Sequence, residues 1–373
     1  MRSLAIGSLS ISGFRNLARV DVELGPRFNV VYGDNGQGKT NLLEAVYVLA
    51  TSRSFRTAKL PELVMAGGDT ASLRATVVED GDAREQTMGL RQGLRAARID
   101  GHRPPTLAEY ALRTPVVVFH SGSVALSSGS GAERRKLLDR IALYTAPTSL
   151  AELDRYTKAL RARQKVLETR GELAADLDGW EDLMVRHGTA MAAARRGAVA
   201  RLEPAVAAAF ERIGPQGVPL SLAFVGGAPE NPSAFRDELR RRRTQDRARK
   251  SATIGPHRDD LRVSLGDLPM RGMASQGQHR SVVLALDLAE IEVVTQARGV
   301  RPVLLLDDVS SELDRARTAA LLVALRDQRG QVVLTTTRPE LFVGVSTPDA
   351  DGHLLGAPDQ VLLEVQRGEI RRV

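Results

Sequence analysis

Gly33-Asp34-Asn35-Gly36-Gln37-Gly38-Lys39-Thr40 decides the architecture of this chain. The stretch stands between Phe28 to Tyr32, a short apolar run of strand character, and Asn41 to Ala50, where Leu42, Leu43, Val46 and Leu49 mark one helical face. Strand, glycine loop and helix in immediate succession form the context of a P-loop. Gly33, Gly36 and Gly38 let the backbone turn its N–H groups, those of Asp34, Asn35 and Gln37 among them, towards phosphate oxygens. The helix that follows points its positive N-terminal end at the same anion. Lys39 is expected to bring a full positive charge to the β and γ phosphates, and the Thr40 hydroxyl to ligate Mg²⁺. The implied cofactors are ATP and Mg²⁺.

A P-loop needs a metal-holding acid at the end of a neighbouring strand. Leu304-Leu305-Leu306-Asp307-Asp308 supplies one: an apolar strand whose carboxyl end delivers acids to the crevice where such sheets bind ligands. Asp307 is expected to hold Mg²⁺ through water, and Asp308 to polarise the attacking water as the catalytic base beside Lys39. Between the two motifs lies Ser275-Gln276-Gly277-Gln278, in which Ser275 and Gln278 make a capping box. That is either a plain helix start or the signature that, in ABC-type ATPases, a partner subunit closes on the γ-phosphate. Ser311-Glu312-Leu313-Asp314, just after the acids, is similar to the D-loop of the same class.

Outward from these motifs the chain alternates strands and helices. Leu4 to Ile11, Ala18 to Leu24 and Arg74 to Arg98 have strand spacing, Val116 to Phe119 suits a buried strand, and Val332 to Leu334 another. Helices are expected over Ser275 to Arg298 and Arg315 to Arg326. Ser121 to Gly131, rich in Ser and Gly, has the composition of a linker. From Ala132 to about Gly214 the pattern is helical. Leu153, Tyr156, Leu160 and Leu167 follow heptad-like spacing with Arg163 interrupting it, and Leu173, Leu177, Trp180, Met184, His187, Met191 and Ala194 alternate steps of four and three. The two halves can pair as a short antiparallel arm, with His187 a packed residue. The expected fold is therefore α/β: an ABC-type ATPase head with an inserted helical lobe carrying a short antiparallel coiled-coil-like arm. Residues 1–120 form the head's first part, 121–250 the lobe and 251–373 its second part.

The composition has 43% hydrophobic and 26% charged residues, the balance of a soluble globular chain, and 373 residues suit two domains or one with a large insertion. The absence of Cys excludes disulfides, thiol chemistry and Cys-type zinc sites. Met1 to Gly13 lacks the apolar block of a signal peptide and no stretch has bilayer-spanning length, so the expectation is a cytoplasmic protein with no membrane role. A net charge of +7 makes nucleic acid a natural partner. Arg240 to Lys250 is a basic run that suits a solvated helix face or DNA contact.

Several segments resemble the RecF family. They are Phe14-Arg15-Asn16-Leu17, Gly36 to Asn41, Thr51-Ser52-Arg53-Ser54-Phe55-Arg56-Thr57, Glu133 to Asp139, Gly255-Pro256-His257-Arg258-Asp259-Asp260-Leu261, Ala274 to Arg280 and Leu305 to Asp314. The resemblance implies an ATP-dependent homodimer on duplex or gapped DNA, without sequence preference. It implies work with RecR, and with RecO, towards loading RecA in recombinational repair, and a weak, DNA-stimulated ATPase. Arg56, His257 and Arg258 are candidates for nucleotide, DNA or interface contact as much as for structural roles. Two departures stand out. The turn after Val116 to Phe119 reads His120-Ser121-Gly122-Ser123, without the family's acid and proline, which leaves His120 as an exposed histidine or else a substitute polar group. Thr335-Thr336-Thr337 occupies the place of the switch histidine of many ABC enzymes, which implies slow turnover. A transporter ATPase subunit and a passive ATP-holding clamp are the alternatives.

Overall fold

The computed structural model describes residues 2–213, 217–266, 268–272, 274–308, 330–343 and 360–373. Contacts group the chain into two compact units, Met1–Ser123 with Glu290–Val373, and Val124–Ala289. The first unit opens with strands β1 (Leu4–Phe14), β2 (Leu17–Glu23) and β3 (Phe28–Tyr32) and helix α1 (Lys39–Thr51). Strands β4 (Thr70–Glu79), β5 (Asp82–Arg91) and β6 (Leu94–Ile99), helix α2 (Leu107–Arg113) and strand β7 (Val116–Phe119) follow. The second unit holds helices α3 (Ala125–Ser128), α4 (Gly131–Thr145), α5 (Ser149–Arg170) and α6 (Leu177–Ile213), then β8 (Leu220–Val225), α7 (Pro232–Arg241), α8 (Arg243–Arg249), β9 (Asp260–Leu265) and β10 (Leu268–Pro269). Helix α9 (Gln276–Arg298) contains the division, and β11 (Val303–Leu306), β12 (Val332–Thr336), β13 (Gln360–Gln366) and β14 (Glu369–Arg372) complete the first unit.

The first unit is built on two sheets. One has the order β14-β13-β3-β12-β11-β7, all parallel except β14. Its strands β7 and β11 are buried at every position, as the unbroken apolar runs Val116–Phe119 and Val303–Leu306 require. The other is antiparallel, β2-β1-β4-β5-β6, and β4 and β5 alternate buried with exposed residues because one face is wet. Helix α1 touches both sheets, so the single apolar face expected from sequence becomes nearly complete burial, from Leu42 to Thr51. Leu42, Leu43, Val46 and Val48 join Ile6, Ile11, Leu73, Val77, Val31 and Leu305 in one core. The acid strand was expected beside the P-loop strand; β12 lies between β3 and β11 instead.

In the second unit α5 and α6 pair antiparallel. Leu167 clusters with Leu177 near the turn, and Tyr156 with Met184 and Met191 farther along. Leu173, placed on the seam from sequence, is 97% exposed, because it lies on the turn before α6 begins. The Ser121 to Gly131 segment is not a linker. A 3₁₀ turn over Ser121–Val124 leads into α3, where Leu126 and Ser127 are buried. The segment 251–289, assigned to the head from sequence, groups with the helices because β9 pairs with β8, from Val225↔Asp260 to Leu220↔Leu265.

Candidate functional site

In the first unit the chemistry collects at the carboxyl ends of parallel strands. The register aligns Tyr32 with Thr336, and Leu306 with Phe119, so Gly33, Asp307 and Thr337 all leave the sheet at one end. This is the end at which such sheets bind ligands. Gly38 takes φ +119° as the residue before α1, a conformation that favours glycine, and a Cβ on it would press on the Asn16 side chain at 2.9 Å.

Lys39 is buried, and its ammonium donates to the carbonyls of Gly33 (2.6 Å) and Asp34 (2.8 Å). Burial holds its pKa below the ordinary lysine value, while the carboxylates of Asp308, Asp307 and Asp34 pull the other way. Thr40 Oγ1 donates to Asp307 Oδ1 at 2.8 Å, across 267 positions of sequence. Thr335 Oγ1 donates to the same oxygen at 2.9 Å, and Asp307 N–H donates to the Phe119 carbonyl. Burial pushes the Asp307 carboxyl above its usual range; the Thr40 and Thr335 hydroxyls oppose that, as does Arg56, while Asp308 reinforces it. Among the described residues Asp307 makes no ion pair, so a buried carboxylate and a hydroxyl converge with all-oxygen donors. That donor set suits a hard divalent cation. Asp308 has a left-handed backbone (φ 49°), and its N–H donates to Thr335 Oγ1 at 2.9 Å. Thr335, in the place of a switch histidine, thus braces both acids.

Sequence reading missed Glu44, the hub of this end of α1. It is fully buried and receives a two-pronged contact from Arg15 (2.9 Å each), with Ser54 Oγ at 2.5 Å and Arg56 Nη1 at 3.1 Å. Arg56 also donates to Asn41 Oδ1 at 2.7 Å. The Arg15 motif, the P-loop helix and the Thr51 to Thr57 motif therefore meet on one carboxylate. An acid at an otherwise apolar helix position was the available signal. Phe55 packs on His120, ring centroids 5.0 Å apart, and His120 Nδ1 accepts from Gly122 N–H at 3.1 Å. His120 is half-buried with its ring tilted against Phe55, not the exposed histidine that the sequence suggested.

The second unit carries the Ser275 to Gln278 segment. Ser275 Oγ accepts from Gln278 N–H (3.2 Å) and Gln278 Oε1 accepts from Ser275 N–H (2.7 Å), a reciprocal capping box at the start of α9. His279 Nδ1 lies 2.9 Å from the buried Ser127 Oγ. The Gly255 to Leu261 motif is a brace of this unit. His257 bonds Tyr156 (2.7 Å) and the Ala252 carbonyl, to which Arg258 Nε also donates. Arg195 joins Asp139 to Asp259, and Arg134 holds Asp260 with two bonds. Arg163, the apparent interruption of the seam, is fully buried with Glu181 (2.9 Å) and Asp246 (2.7 Å). His187 is packed against Glu152 at 2.7 Å. The Arg240 to Lys250 run is largely neutralised at home: Arg240 pairs with Asp178, Arg241 and Arg242 with Glu238, Arg243 with Asp178 and Glu181, and Arg247 with Glu172. The Ser311 to Asp314 segment and the helix expected over Arg315 to Arg326 lie outside the described residues.

No helix among the described residues is long and apolar enough to cross a membrane. A family model described as RecF/RecN/SMC N terminal domain matches residues 5–349. The chain is 39% identical over 352 residues to the DNA replication and repair protein RecF of Anaeromyxobacter sp. (strain Fw109-5), covering 92% of this chain and 95% of that protein. It is 36% identical over 360 residues to the RecF of Myxococcus xanthus (strain DK1622), 94% of each. A solved structure of the recombination mediator protein RecF with ATP, in the RecFOR pathway, matches at a TM-score of 0.84 and 26% identity, over 100% of this chain and 98% of that one. The Smc head domain from Pyrococcus furiosus shares the fold, at a TM-score of 0.54 and 16% identity, over 100% and 96%. Since the family model runs through both units and these RecF proteins are 36–39% identical over more than nine-tenths of the chain, the chain belongs to the RecF family of DNA replication and repair proteins, an ABC/SMC-type ATPase fold.

Proposed function

We propose that the protein binds and slowly hydrolyses ATP, and that ATP closes it into a homodimer on DNA in recombinational repair. The observation that carries this reading is the meeting of Thr40 and Asp307 at 2.8 Å at the mouth of the Gly33 to Thr40 loop. In this reading Gly33, Asp34, Asn35, Gly36, Gln37 and Gly38 wrap the phosphates with backbone N–H groups. Lys39 exchanges its two carbonyl partners in the loop for β and γ phosphate oxygens. Mg²⁺, when bound, neutralises phosphate charge, and Thr40 and Asp307 are the residues that would hold it. Asp308, set at the strand end with its N–H tied to Thr335, orients the attacking water. Ser275, Gln276, Gly277 and Gln278 reach the γ-phosphate of a second copy, with the exposed Ser275 at the positive end of a 23-residue helix. RecR, RecO and RecA are the proposed partners, a reading supported by the likeness to a RecF described in the RecFOR pathway, and Mg-ATP the proposed cofactor. Lys39→Ala is the test: fluorescent-nucleotide titration should show tight binding abolished, and near-wild-type affinity would overturn the site.

A further inference from the structure

We infer that Asn16 and the turn joining β13 to β14 are positioning elements of the P-loop, acting through the single peptide between Gln37 and Gly38. The inference rests on reading the loop as an ATP site and adds residues that no P-loop pattern contains.

The carbonyl of Gln37 accepts from Gly368 N–H at 2.9 Å and from Asn16 Nδ2 at 3.3 Å. The Gln37 side chain is held as well, its Oε1 accepting from Arg367 N–H at 2.6 Å. Asn16 is itself oriented, since its Oδ1 accepts from Asn41 Nδ2 of α1 at 2.7 Å. The described chain has no cis peptide bonds, so the Gln37 C=O and the Gly38 N–H point to opposite sides of one rigid plane. Donors that fix the carbonyl outward therefore fix the N–H inward, where a phosphate oxygen can accept it. A P-loop without such an anchor pays for the orientation when nucleotide arrives.

Contact distances around the anchor leave little slack. A Cβ on Gly33 would overlap the Val365 carbonyl of β13, so the loop's first residue is seated on the same strand that feeds the turn. Gly368 has φ +82°, and a Cβ there would sit 2.5 Å from the Asn16 carbonyl. The turn and the Asn16 segment thus bear on each other and on the loop from outside.

The test is ATP binding and turnover by the full chain. Asn16→Ala removes one of two donors to the carbonyl and should weaken ATP affinity roughly three- to tenfold. Gly368→Ala pushes the turn off Asn16 and should weaken it at least as much. KM should rise while kcat at saturating ATP stays within about twofold, whereas partial unfolding would lower kcat and leave KM alone. Arg371→Ala, on β14 and paired only with the exposed Glu369 among the described residues, should bind as wild type. Wild-type KM in Asn16→Ala overturns the inference even where Gly368→Ala does not fold, as does an equal rise in Arg371→Ala. If Lys39→Ala also keeps its affinity, the ATP site itself fails; if Lys39→Ala loses it and Asn16→Ala does not, only the positioning role fails.

Discussion

Replacing Arg163 with Met should destabilise the helical unit by about 3–5 kcal/mol, the range for breaking a buried ion pair from one side. The structure explains why solvent cannot rescue the loss: Arg163, Glu181 and Asp246 are all fully buried. Glu181 keeps Arg243 as a partner, at 2.6 Å. Among the described residues the Asp246 carboxylate keeps Thr253, whose N–H and hydroxyl donate to Oδ1, and loses the cation at Oδ2. The Leu239 carbonyl loses its donor too. Trp180, the single tryptophan, packs against this cluster's neighbours on α6 and reports the unit's unfolding. With a guanidinium slope of about 4 kcal/mol/M, the fluorescence midpoint should fall by about 1 M at pH 8. A deficit under about 1 kcal/mol refutes the claim that this arginine balances the cluster.

Asp308→Asn should bind ATP normally but turn over about 10²–10⁴-fold more slowly, and should accumulate dimer on size-exclusion with ATP; unchanged turnover excludes it as the base. Ser275→Arg should leave nucleotide binding of the monomer intact and abolish the ATP-dependent dimer, and a normal dimer reduces Ser275 to a helix cap. Duplex DNA affinity, measured by anisotropy across a salt series, should show a steeper log–log slope with ATP than with ADP, by about −0.9 per added phosphate contact. Identical slopes would remove ATP gating. Within that series Arg240→Ala should change little, since its charge is already met by Asp178.

The sheet was legible wherever local pattern decides structure. Val116–Phe119 and Val303–Leu306 lie where their unbroken apolar runs put them, because strands covered on both faces leave that trace, and Phe28–Tyr32 lies where expected with Asn29 as its one polar residue. The loop and the acids were legible because their chemistry demands fixed residues at fixed spacing. What escaped depends on partners far away in sequence. Arg163 breaks a heptad on paper and fills a charged socket in space. Glu44 gains meaning only when Arg15 and Arg56 arrive. Thr335 gave no sign that it would brace both acids, since a threonine in a β-branched strand looks like any other. The Arg240 to Lys250 run suited a solvated helix face or DNA contact because Asp178, Glu181 and Glu172, three of its counterions, lie on and before α6. No expectation covered β13 and β14, which place the turn against Gln37.

The sheet order has a consequence for biosynthesis. Strand β3 is made long before its two neighbours, β12 and β13, which belong to residues 332–366. At 5–20 residues per second a ribosome needs roughly 15–60 s to cover the intervening length of about 300 residues. During that time Val30 and Val31, fully buried in the finished protein, have no strand to pair with on either side. The helical unit, complete by Ala289, is free to fold first. Until β12 and β13 are made, a nascent chain therefore holds the whole helical unit but only an unpaired β3 behind its P-loop.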